Sequence, residues 1–171
     1  MKIVAATTLR DSLIADFVRR FPKVMTRAGS YGKCKFLSYE LALYLRRRGV
    51  RATVLHCQSL AKNHGWKKTA HASWVEKPRS EWSHYVVVSD GLVYDVTARQ
   101  FDQDLPVPFV IDRAVLSTYW DTVERDTFVN NMVTEVLRSH LDAGRTLRPG
   151  AVSKIAPAAG AQQLRPPVAN P

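Results

Sequence analysis

With only two cysteines, Cys34 and Cys57, the 171-residue chain has too few thiols for a disulfide framework. A cytosolic protein rarely keeps even the single bridge they allow. No apolar run reaches the ~18 residues that a membrane-spanning helix needs. The opening Met1–Thr8 carries one basic residue and too short an apolar stretch for a secretory leader. A cytoplasmic location without a membrane partner is therefore expected. Glycine-rich phosphate loops and dinucleotide fingerprints are missing. His56, Cys57, His64 and His71 are candidate metal ligands, but their gaps across a strand and a loop do not match familiar zinc pairs. Neither a metal nor a cofactor is expected.

Acidic residues are also scarce: 15 against 25 basic, a net charge of +10. Four of the basic residues and none of the acidic ones fall in 144–171, so residues 1–143 carry +6. That surplus suits nucleic acid or an acidic protein, and equally a solvated basic surface, which is the favoured reading. Residues 1–143 have room for one domain with one core. Beyond Gly144 the composition turns to Ala, Pro, Gly and Gln without periodicity, as in a disordered tail or tether.

What remains is well patterned. Thr8 can cap a helix running to about Arg20, with Leu9, Leu13, Ile14, Phe17 and Val18 on one stripe. A second helix spans about Lys33 to Arg48, its apolar positions Phe36, Leu37, Leu41, Leu43, Tyr44 and Leu45, with Arg46–Arg48 and Gly49 at its end. Val50–Cys57 reads as a strand, 58–70 as a loop, and Ala72–Glu76 as a short strand. The clearest signal is a hairpin: Ser83–Val88, a turn at Asp90-Gly91, then Leu92–Val96. Prolines 106 and 108 make 103–109 irregular. A last helix is expected from about Asp121 to Leu141, burying Phe128, Met132, Val133, Val136, Leu137 and Leu141. The architecture is α+β, with helices packed on a small antiparallel sheet.

Cys34 falls in the first turn of the second helix, where unpaired backbone amides and the positive dipole end stabilise a thiolate and can receive an oxyanion. Gly32 allows close backbone approach. A thiolate nucleophile needs a base, and the base an orienting group. His84 opens the hairpin and Asp95 closes it. A two-residue turn makes paired positions sum to about 181, setting His84 opposite Val96 or Thr97 and bringing Asp95 within reach. His71 is the rival base. Trp82 is the best candidate for a groove wall among the tryptophans. Gln100 is a candidate donor to substrate or to the triad, with Arg99 and Phe101 beside it.

Three segments carry a family likeness: Gly32-Lys33-Cys34-Lys35-Phe36-Leu37-Ser38 at a helix start, His84-Tyr85-Val86-Val87-Val88, and Asp90-Gly91-Leu92-Val93-Tyr94-Asp95-Val96-Thr97. Together they resemble the transglutaminase-like branch of the papain-like cysteine peptidase superfamily, over roughly residues 28–101. The resemblance implies a papain-like fold whose nucleophile helix packs on an antiparallel sheet, and a Cys34–His84–Asp95 triad. It also implies a hydrolase or acyl transferase that attacks an amide of a protein or peptide through a thioester. Lys35 stands where such proteins often carry an aromatic residue, and no glutamine precedes Cys34. The oxyanion donor then falls to Tyr31, Gly32 or backbone amides. The alternative is an inactive domain of this fold that binds nucleic acid or an acidic protein through its basic surface.

Overall fold

The computed structural model describes residues 8–62 and 64–146. Within them the chain is α+β: a five-stranded antiparallel sheet with helices packed against it. The helices are α1 (Leu9–Arg20), α2 (Arg27–Ser30), α3 (Cys34–Arg46), α4 (Trp66–Thr69), α5 (Ala72–Val75) and α6 (Thr127–Thr146). The strands β1 (Thr53–Leu60), β2 (Ser83–Ser89), β3 (Leu92–Asp95), β4 (Phe109–Asp112) and β5 (Trp120–Arg125) lie in the order β4-β3-β2-β1-β5. No helix among the described residues is long and apolar enough to cross a membrane.

Strand alternation divides the core in two. Val54, Val87 and Tyr94 face one way, onto Ile14 and Phe17 of α1, Leu37, Leu41 and Leu45 of α3, and Val129 and Val133 of α6. Leu55, Cys57, Val86 and Val93 face the other, into an aromatic cluster of Trp66, Trp74, Trp82, Phe101 and Trp120. α1 begins with the capping box that Thr8 and Asp11 permit. The β2–β3 turn is the two-residue kind, because Asp90 (φ 47°) and Gly91 (φ 79°) both take the left-handed region it requires.

Several expectations change. Ala72–Glu76 is not a strand: His71 caps a short helix there by accepting from the Ser73 amide. Residues 58–60 extend β1, and 66–69 form α4 inside the expected loop. Phe109 opens β4, with only 103–108 irregular. The last helix starts six residues later than Asp121, because β-branched Thr122 and Val123 instead complete β5 along β1. Asp126 then caps α6 through the Val129 amide. The buried face of α6 is also rotated. It carries Val129, Asn130 and Val133, leaving Phe128, Met132 and Leu141 exposed. Buried Asn130 causes this, since its side chain bonds both backbone groups of Val54 in β1. The arginines after Leu45 are engaged: Arg46 with Ala52 and Asn130, Arg47 with His140, and Arg48 with Tyr44. Of the expected tail, residues 144–146 continue α6, and the rest lies outside the described residues.

Candidate active site

Positive φ at Gly32 (68°) turns the chain out of α2 and directly into α3, making Cys34 the first helical residue. Lys33 occupies the cap position without a side-chain hydrogen bond, and the first amide to reach a carbonyl is that of Leu37, bonded to Lys33 at 2.9 Å. Among the described residues the leading amides of α3, including that of Cys34, have no backbone acceptor and stay open beside the thiol. Cys34 retains 8% exposure, whereas Cys57 is fully buried. Both cysteines are free, with no bridge between them.

The hairpin register decides the rest. The β2–β3 pairs Val87–Tyr94, Val88–Val93 and Ser89–Leu92 each sum to 181, the value of a two-residue turn. Continued past the ladder, this register sets Thr97 opposite His84. Asp95 lies two residues before Thr97, so it shares a face with the histidine. Nε2 of His84 meets Oδ2 of Asp95 at 2.6 Å. The other oxygen, Oδ1, accepts from the Thr97 amide at 2.8 Å and its hydroxyl at 3.1 Å. Cys34 lies close enough to His84 to raise the pKa of the imidazole.

His84 has no exposure to solvent. Phe101 stands edge-on to its ring at 4.7 Å, and Trp120 stacks at 5.7 Å between centroids. Burial by itself pulls the pKa of His84 down. The charge of Asp95 reverses this, aided by its hydrogen bond and by Cys34, and pushes the imidazole up to about 10. The result is an imidazolium paired with Asp95. Behind it, Cys57 pairs directly with His84 across β1 and β2. Burial, then the charges of Asp95 and Cys34, push its pKa far upward, so this second thiol stays protonated.

Cys34, His84 and Asp95 thus come together in the order expected from the sequence. The other named residues take different places. Gln100 is buried and does not face solvent. Its Nε2 bonds the Thr97 carbonyl and hydroxyl and lies 3.3 Å from Nδ1 of His84, while Oε1 accepts from the Trp74 indole at 3.0 Å. Both donors of its amide go to Thr97, so it has none left for substrate. Trp82 is no groove wall, since it is 1% exposed between Trp74 and Phe101. Tyr31 stacks on His71 at 4.4 Å, and the Nδ1 of His71 accepts from the Ser73 amide. Arg99 ties its loop to the Met25 and Leu105 carbonyls. His56 bonds Ser83 and Gln58 and stacks on Tyr85. The structure adds roles for two residues: Thr97 donates to Asp95, and Trp120 stacks on His84. Thr97 was legible in principle, because a residue two places after an aspartate commonly donates to its carboxylate. Trp120 had no local signal, being brought in by the β1–β5 pairing.

No family model, curated protein or solved structure matches the chain.

Proposed function

We propose that the protein is a cysteine-dependent hydrolase or acyl transferase of papain-like, transglutaminase-core type, acting on an amide of a protein or peptide. The observation that carries this reading is a buried His84 bonded to Asp95 and close enough to a cysteine that heads a helix to feel its charge. Cys34 attacks the amide carbon, and the developing oxyanion lies toward the open amides at the start of α3. The imidazolium of His84 gives its proton to the leaving amine, and a thioester remains on Cys34. Water or an amine, deprotonated by the now neutral His84, then attacks the thioester and releases the sulfur as thiolate. Asp95 keeps the ring oriented throughout and offsets its positive charge.

Alkylation by iodoacetamide, read residue by residue by mass spectrometry, tests the reading. Cys34 should label much faster than Cys57, which is buried and held as a thiol. Equal rates at the two cysteines, or amide hydrolysis unaffected by Cys34→Ala, would remove the nucleophile from the proposal.

A further inference from the structure

A cleft of about 330 Å³ opens between the end of α1 and the first turn of α3, on the flank of the helix next to Cys34. Phe21, Phe36 and Leu37 supply apolar walls. Leu37 is three residues after Cys34, a spacing that sets Cβ atoms about 5–6 Å apart on a helix surface. Cys34 itself does not line the cleft, but Lys33 and Leu37, which flank it in the first turn of α3, do. Phe36 belongs to the apolar pattern of α3, yet it is 55% exposed at this opening. A phenyl ring left in water at the mouth of an apolar cleft is available to cover an apolar guest.

The rim is charged with one sign. Arg20, Lys23 and Lys33 border the cleft, and no acidic side chain among the described residues lines it. Arg20 is held by Asp16 at 3.0 Å. Lys23 and Lys33 are exposed and have no salt-bridge partner among the described residues. An apolar floor under unpaired ammonium groups is complementary to an apolar side chain flanked by carboxylates.

We infer that this cleft is the substrate subsite beside Cys34, and that it takes an aromatic or large aliphatic side chain of a peptide with acidic neighbours. The inference rests on the proposed cysteine chemistry, which requires an amide-bearing substrate to lie across Cys34. Concavity favours a side chain over a bilayer surface, which would meet the rim and leave the floor empty.

The test uses the full chain with Cys34→Ala, which binds without reacting, and a fluorescein-labelled peptide Gly-Glu-Phe-Gln-Glu-Gly followed by anisotropy. The peptide should bind, and more weakly as salt rises. Replacing its phenylalanine with alanine should weaken binding at least about tenfold. Phe36→Ser, or Lys23→Glu with Lys33→Glu, should do the same, and these surface changes should leave the urea-unfolding midpoint in place. Equal affinity for the alanine peptide or for a lysine-for-glutamate peptide overturns the inference. So does unchanged binding by the cleft variants, or binding only to phosphatidylserine vesicles. Iodoacetamide labelling of the wild-type chain separates the two readings. A reactive Cys34 with no peptide binding overturns the cleft alone, whereas an unreactive Cys34 with specific binding overturns the catalysis and upholds the cleft.

Discussion

Asp95 accepts three hydrogen bonds in a site closed to water, two from Thr97 and one from His84. The charge of Asp95 is what raises the pKa of the buried His84. Asparagine at 95 preserves the shape and removes the charge, so the imidazole loses what offsets its burial. Asp95→Asn should therefore slow iodoacetamide labelling of Cys34 at pH 7 by about tenfold or more, with the fold intact by circular dichroism. A rate within twofold of wild type would mean that Asp95 only fills space. Gln100 is held beside the same ring by Thr97 and Trp74. Its carbonyl is the acceptor for the buried Trp74 indole, so Gln100→Leu should destabilise the fold by about 1–3 kcal/mol in urea unfolding. These triad residues were legible because each sits at a position with a local signature: a helix start, a strand start, a strand end. The burial of Gln100 and Trp82 was not legible, since nothing local says which side of a loop faces the core.

The elements that matter most are the β2–β3 hairpin and the two long helices α3 and α6. Asp90-Gly91 specifies a two-residue turn, and the turn specifies which residues of β2 and β3 stand opposite each other. That chain of dependence ran from sequence to site without tertiary help. α6 behaved differently. Its apolar periodicity pointed to a stripe through Phe128, Met132 and Leu141, but the buried face includes Asn130 instead of Phe128. Asn130 bonds the amide and carbonyl of Val54 and receives Arg46, joining α6, β1 and α3 through one side chain. Asn130→Ala leaves these groups buried without partners and should cost on the order of 2–3 kcal/mol. Equilibrium urea unfolding checks this; a loss below about 0.5 kcal/mol would show that water replaces the amide.

Over the whole molecule, the site links stability to pH. The pKa of His84 rises from an ordinary value near 6.5 when unfolded to about 10 when folded. A group whose folded pKa is raised contributes fully below the unfolded value and loses that contribution as pH climbs through the folded one. The His84 contribution to the unfolding free energy should thus hold level below about pH 6.5 and fall steadily toward pH 10. Any further fall above pH 10 includes Tyr94, pushed up to about 12 chiefly by burial. Urea titrations at several pH values check the slope, and in Asp95→Asn the fall between 6.5 and 10 should flatten; an unchanged slope would assign the linkage to other groups. By itself the sequence determined the α+β class, the capped helix α1, the cysteine at a helix start and the hairpin register, because each depends on residues close together in the chain. Tertiary structure alone decided that α3 delivers Cys34 to His84, that β5 replaces the expected start of the last helix, and that the tryptophans close the site from behind. Those outcomes depend on pairings between distant segments, such as β1 with β5 and α6 with β1, whose free energies no local pattern contains.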